Sequence, residues 1–212
     1  PVVVKGRIKG GYTDLDSVTS QFLSALLLNM PLAEKDTEIN ITGLNEIPYV
    51  DITLWWLDKM GIIYQNNKYQ NFSIKGGQRY ESFSITVPGD FSSATFFMVQ
   101  AAISKGEIKL QNLDMSDPQG DKLVLSYLEN MGAIVEYGED GIVVKGGELK
   151  GIDIDMNSTP DALPAMAVAG CFAKGETRLL NVPQARLKET DRISVMCQEL
   201  RKMGADITEL DE

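Results

Sequence analysis

The sequence predicts an α/β protein built from repeated βαβαββ units, in which some helices are enclosed by sheet instead of covering it. Three observations point there. One pattern recurs with a period of about seventy residues: Asp51-Ile-Thr-Leu runs on to Leu57 and Met60-Gly61, Asp121-Lys-Leu-Val-Leu to Leu128 and Met131-Gly132, and Asp191-Arg-Ile-Ser-Val to Leu200 and Met203-Gly204. Ahead of each copy lies a stretch with no wide polar face, at 20–28, 93–103 and 161–173. A helix that is apolar on every side is a buried helix. Strand and hairpin signals punctuate these helical stretches, as expected of one supersecondary unit copied and stacked.

Each element has a local reason. The first helix of each copy follows polar starts, Thr19-Ser20-Gln21, Asp90-Phe-Ser92-Ser93 and Thr159-Pro160-Asp161, which are helix-capping residue types. Short strands are expected at 37–42, 107–110 and 177–180. An amphipathic helix comes next in each copy. In the third, Ile193, Met196, Cys197, Leu200 and Met203 recur at three- and four-residue spacing. Gly61, Gly132 and Gly204 follow Met as left-handed C-caps. Paired strands close the unit, as at 133–137 and 141–144 around Gly138-Glu-Asp.

Composition narrows the function. The chain has 212 residues, 43% hydrophobic and 24% charged, which fits an ordinary globular protein. A net charge of −10 with no basic patch argues against nucleic acid as partner but leaves room for a small anionic substrate. No apolar run is long enough for a membrane span. Cys171 and Cys197 lack a Cys-x-x-Cys spacing and read as two buried free thiols in a reducing cytosol. With no histidine, His-dependent catalysis, a Ser-His-Asp triad and the usual zinc sites are excluded from this segment. The start at Pro1-Val-Val-Val, without Met, is expected of a fragment of a longer chain.

Two features carry chemistry. The polar tips of buried helices present free N–H groups and the positive end of the dipole, so they suit anions, although capping alone also explains them. The third copy departs from its siblings at Gln184-Ala-Arg-Leu-Lys-Glu-Thr-Asp-Arg192, where Lys188, Glu189, Asp191 and Arg192 crowd together. A self-paired surface turn would account for such a run. Against that, Arg192 falls in a first helical turn, where the dipole disfavours a cation.

Five motifs in order, Ser-Val-Thr-Ser-Gln-Phe-Leu-Ser-Ala-Leu-Leu (17–27), Pro-Tyr-Val-Asp-Ile-Thr-Leu (48–54), Pro-Gly-Asp-Phe-Ser-Ser-Ala (88–94), Pro-Asp-Ala-Leu-Pro (160–164) and Arg-Leu-Lys-Glu-Thr-Asp-Arg (186–192), resemble those of the EPSP synthase family over essentially the whole chain. The resemblance implies a cytoplasmic two-domain enzyme, each domain an inside-out α/β barrel of three βαβαββ units. Residues 1–87 would be the last unit of one domain and 88–212 the first two units of the other. The remaining halves of both domains would be its partners. The implied reaction transfers the carboxyvinyl group of phosphoenolpyruvate to the 5-hydroxyl of shikimate-3-phosphate, with no metal and no cofactor.

Carried over by position, the resemblance assigns Thr19, Ser20, Gln21, Tyr49, Asp161, Gln184 and Lys188 to shikimate-3-phosphate, and Arg192 with Gln21 to phosphoenolpyruvate. Asp161 would take the 5-hydroxyl proton, and Glu189 would exchange protons with the substrate methylene. Two carboxylates for acid–base work beside cations that hold anions is the set such chemistry needs. Thr19 and Gln184 stand for a Ser and an Asn and keep the hydroxyl and the amide. Glu46 stands where many members have a Ser that reaches the phosphate. A carboxylate facing a phosphate is unfavourable, so either it swings away or the register differs.

Three rivals are weighed. UDP-N-acetylglucosamine enolpyruvyl transferase is similar in architecture but lacks the Lys-Glu-Thr-Asp-Arg motif. The RNA 3′-terminal phosphate cyclase shares the repeat but needs a nucleophilic histidine. A non-catalytic repeat module has no need of the Asp161 and Glu189 pair.

Overall fold

The computed structural model describes residues 1–104 and 106–210. They divide into two units, Pro1–Ile85 and Thr86–Glu212, each with its own hydrophobic core.

In the first unit, strand β1 (Gly11–Ser17) leads to Thr19, whose extended backbone and side-chain oxygen start helix α1 (Ser20–Asn29) by accepting from Gln21 N. The chain returns through β2 (Thr37–Leu44), which pairs parallel with β1, as a βαβ crossover requires. Helix α2 (Ile47–Lys59) follows, with Pro48 in its first turn, where a missing N–H costs nothing. Strands β3 (Tyr64–Asn67) and β4 (Asn71–Ile74) form a hairpin, and β4 joins β2 antiparallel to give the order β1-β2-β4-β3. This copy is βαβαββ, as expected. Leu23, Leu27, Ile39, Val50, Leu57 and Phe72 are fully buried between its helices and one sheet face.

The second unit holds the other two copies. Asp90 accepts from Ser92 N and Ser93 N, both at 3.1 Å, to cap α3 (Phe91–Ile103). Then come β5 (Glu107–Leu110), α4 (Leu123–Met131) and the hairpin β6 (Ile134–Gly138) with β7 (Gly141–Lys145), in the antiparallel order β5-β7-β6. Strand β8 (Asp153–Asp155), a 3-10 turn (Pro160–Ala162), α5 (Leu163–Phe172), β9 (Arg178–Leu180) and α6 (Arg192–Lys202) complete it. Strands β8 and β9 pair parallel across α5, repeating the β1-α1-β2 crossover. Copy two is therefore αβαββ and copy three βαβα: among the described residues of the second unit no strand precedes α3. The three expected C-cap glycines have φ of 66°, 114° and 92° at Gly61, Gly132 and Gly204. At Gly132 a Cβ would also lie 2.7 Å from the Glu148 carbonyl oxygen, so glycine is required twice over.

Three expectations need correction. Helices α1, α3 and α5 are not buried all round: Phe22 and Leu28, Phe96 and Phe97, and Phe172 are exposed. One repeat covers only one side of its neighbour's helix, so an apolar second side stays open unless another unit packs there. Met203 is likewise exposed, because it lies beyond the last turn of α6. Of the two cysteines only Cys197 is buried; Cys171 faces out beside Phe172.

Candidate active site

The same contact is built in every copy: the tip of the first helix meets a charged side chain from the start of the second. In copy one, Glu46 at the N-cap position of α2 turns its carboxylate onto the tip of α1. Its Oε2 accepts from Ser20 N (3.1 Å), Ser20 Oγ (2.7 Å) and Thr19 Oγ1 (3.2 Å). Glu46 is only 1% exposed and has a left-handed backbone, φ 60°. Sequence reasoning left its direction open between swinging away and a shifted register; its carboxylate points at the helix tip. Gln21 is exposed, and Tyr49 is half-buried in the first turn of α2.

Copy two repeats the arrangement. Ser92 Oγ donates to Asp121 Oδ2, and Asp121 is buried just before α4. Sequence reasoning gave Asp121 no role beyond marking the repeat.

Copy three inverts the polarity. Here the helix tip carries the carboxylate, Asp161, and the second helix supplies the cation, Arg192 at the start of α6. Arg192 Nη1 donates to Asp161 Oδ1 at 2.6 Å and to the Pro160 carbonyl at 3.4 Å. The same guanidinium forks onto Glu189, with Nε to Oε1 at 2.9 Å and Nη2 to Oε2 at 2.8 Å. Two carboxylates 28 residues apart in sequence thus share one guanidinium in a charge-assisted bidentate geometry.

The electrostatics follow. The Arg192 fork, helped by backbone donation and by the nearby Lys188 charge, holds the Glu189 carboxyl down at about 2. Arg192 is pushed above its ordinary range, first by Glu189 and then by Asp161. Glu189 is 65% exposed along its side chain, whereas Arg192 is 18% exposed, so the cation is anchored in the fold and the carboxylate stands toward solvent.

The loop before α6 is held by a pair that sequence reasoning passed over. Arg186 Nη1 bonds Asp191 Oδ2 (3.0 Å) and Glu209 Oε1 (2.6 Å), and its Nη2 bonds the Leu210 carbonyl (2.8 Å). Asp191 in turn caps α6 by accepting from Ser194 N at 3.0 Å, and that backbone donor is the main cause of its lowered pKa. The expectation of self-paired charges among Lys188, Glu189, Asp191 and Arg192 therefore holds for Glu189 with Arg192, whereas Asp191 pairs with Arg186 and Arg192 also reaches Asp161. Gln184 is buried, and its Nε2 donates to the Asn157 carbonyl at 3.1 Å. Lys188 is half-buried. Among the described residues no group of three or more His, Cys, Asp or Glu side chains is placed to hold a metal ion.

A solved structure of the enolpyruvyl transferase NikO from Streptomyces tendae matches 81% of this chain and 44% of its own, at TM-score 0.59 and 16% identity, a likeness of fold. The architecture is thus that of an α/β repeat protein of the enolpyruvyl transferase fold.

The sequence model of EPSP synthase (3-phosphoshikimate 1-carboxyvinyltransferase) matches residues 1–212, and the chain belongs to that family. A 3-phosphoshikimate 1-carboxyvinyltransferase from Ruminiclostridium cellulolyticum is 71% identical over the whole chain, and one from Acetivibrio thermocellus 68%. Each is matched over 50% of its own length, so the chain spans about half of these relatives. The EPSP synthase structure from Acinetobacter baumannii superposes on 96% of this chain and 48% of its own, at TM-score 0.74 and 32% identity.

Proposed function

We propose that this chain forms about half of an enzyme that transfers the carboxyvinyl group of phosphoenolpyruvate to the 5-hydroxyl of shikimate-3-phosphate and releases phosphate. Family membership gives the reaction class. The observation that supports the assignment of residues is the guanidinium of Arg192, which bonds both Asp161 and Glu189.

In this reading Glu189 gives a proton to the methylene carbon of phosphoenolpyruvate as the 5-hydroxyl oxygen bonds to the adjacent carbon. Asp161 accepts the hydroxyl proton. In the second half, a methyl proton returns to Glu189, the carbon–carbon double bond re-forms and phosphate leaves with the proton that Asp161 had accepted. A carboxyl held at about 2 is an ion at neutral pH and cannot donate. In this reading Arg192 binds the phosphoenolpyruvate anion, and a guanidinium drawn off Glu189 by that anion would let the Glu189 carboxyl rise from its lowered value. In the second unit Lys188 and Gln184 are the residues for shikimate-3-phosphate; in the first, Thr19 and Ser20 at the α1 tip suit its phosphate, with Gln21 and Tyr49 also assigned to shikimate-3-phosphate and Gln21 to phosphoenolpyruvate as well.

The exposed apolar faces of α1, α3 and α5 and the half-length match support the inside-out barrel reading. Residues 1–87 close one three-unit domain and 88–212 open the other, and the remaining units cover those faces. The free thiols, one of them exposed, fit a cytoplasmic protein; among the described residues no helix is long and apolar enough to cross a membrane.

The test is the full-length protein incubated with both substrates. Phosphate release that requires shikimate-3-phosphate, with a product heavier by one carboxyvinyl group, supports the reading. Phosphate release independent of shikimate-3-phosphate, or none, contradicts it.

A further inference from the structure

The position of Glu46 has a consequence for binding. The first residue of α1 offers its N–H and its hydroxyl, and Thr19 adds a second hydroxyl, all aimed at one point. Free N–H groups at a helix start together with the dipole favour an anion there. The point is already taken, because Glu46 Oε2 accepts all three bonds. A carboxylate that is 1% exposed needs hydrogen-bond donors to offset its burial, and the three that reach Oε2 belong to the α1 tip. A phosphoryl group arriving at the same donors would meet a like charge at hydrogen-bonding distance, so the two anions exclude each other.

Glu46 has a way out. It is a non-glycine residue at φ 60°, a sparsely populated region that costs energy to hold. It stands between β2 and the first turn of α2, where Pro48 fixes the helix entry. A change of rotamer at Glu46 would carry its carboxylate off the α1 tip while the backbone of both flanking elements stays in place.

We propose that Glu46 is a built-in competitor for the anion that the α1 tip takes: it closes the tip in the ligand-free protein and leaves when a phosphoryl group binds. This rests on the reading of Thr19 and Ser20 as the shikimate-3-phosphate phosphate site. Glu46 then sets the affinity for that substrate and selects against weak anions, which cannot displace it.

The experiment uses the full-length enzyme, with calorimetric titration of shikimate-3-phosphate and of shikimate, which lacks the phosphate. Glu46→Ala should bind shikimate-3-phosphate about tenfold or more tightly than the native protein, and shikimate with unchanged affinity. Glu46→Gln, which keeps the shape and an acceptor but not the charge, should tighten it by a smaller factor. In the Glu46→Ala background, Ser20→Ala should loosen shikimate-3-phosphate at least fivefold. A crystal structure of the native enzyme with shikimate-3-phosphate provides a check free of mutation, and Glu46 should have left Ser20. If Glu46→Ala and Glu46→Gln bind no tighter while the Ser20 change still weakens binding, the competitor idea is wrong and the phosphate site stands. If the Ser20 change has no effect, the α1 tip is not the phosphate site and both fall. A bound structure with Glu46 still seated on Ser20 N also overturns the proposal.

Discussion

Arg192 reaches back 31 residues to bond Asp161 at 2.6 Å, the reverse of the charge arrangement at Ser20–Glu46 and Ser92–Asp121 in the sibling repeats. In those two a hydroxyl on the first helix meets a carboxylate from the second. In the third, the first helix brings the carboxylate and the second the guanidinium. The repeat thus supplies a fixed geometry, and one copy exchanges its charges to assemble two carboxylates on a half-buried cation.

Removing that cation should move Glu189. Its carboxyl, held at about 2 chiefly by the Arg192 fork, should rise toward its ordinary 4.5 in Arg192→Ala. The sign follows from which form the guanidinium favours: without it the ion loses its partner and binds a proton more readily. Because the folded pKa is depressed, the pair stabilises the fold above about 4.5, and that share is lost as pH falls toward 2. At 65% exposure the contribution is small, below about 1 kcal/mol. Carboxyl NMR titration of both proteins measures the shift, and an unmoved midpoint would show that Arg192 does not control Glu189.

Asp191→Ala should destabilise the second unit by about 1 kcal/mol, within the usual range for a lost N-cap. The side chain caps Ser194 N and pairs with Arg186, and its pKa is lowered from 3.8 mainly by that backbone donor. The difference from the native protein should therefore be full above pH 3.8 and shrink as pH falls below it. Asp191→Asn, able to cap but not to pair, should lose less. Denaturant midpoints at neutral and acid pH decide it.

Residues 1–212 produced alone should show no carboxyvinyl transfer and should bind an apolar fluorescent dye. Phe22 and Phe96, 53% and 57% exposed here, are apolar faces that the rest of the two domains would cover in this account. The full-length protein should bind far less dye and turn over substrate. Turnover by the isolated chain above trace level would mean that the site is complete within it.

Much of this was legible in sequence, and the exceptions have physical causes. Asp51, Asp121 and Asp191 announced the repeat, and Met-Gly pairs marked helix ends that do turn left-handed. The Asp161–Arg192 contact spans 31 residues and was not legible, because the resemblance assigned Arg192 to a substrate anion and no local pattern joins residues so far apart. The direction of Glu46 was not readable, because a glutamate at φ 60° is contrary to local preference and is held by the donors it meets. Burial of α1, α3 and α5 was overestimated for a different reason. A pattern reports what a helix surface can tolerate, whereas burial depends on what packs against it, and Phe22, Phe96 and Phe172 have an open side in this chain.

The most direct test of the central claim, that Glu189 beside Asp161 and Arg192 moves protons in the transfer reaction, is steady-state turnover of full-length Glu189→Gln alongside its affinity for shikimate-3-phosphate. A proton carrier acts on the transition state, so turnover should fall by roughly 10²–10⁴ while shikimate-3-phosphate binds as before. Near-native turnover would return the Glu189–Arg192 pair to a surface ion pair and leave Asp161 without a catalytic partner.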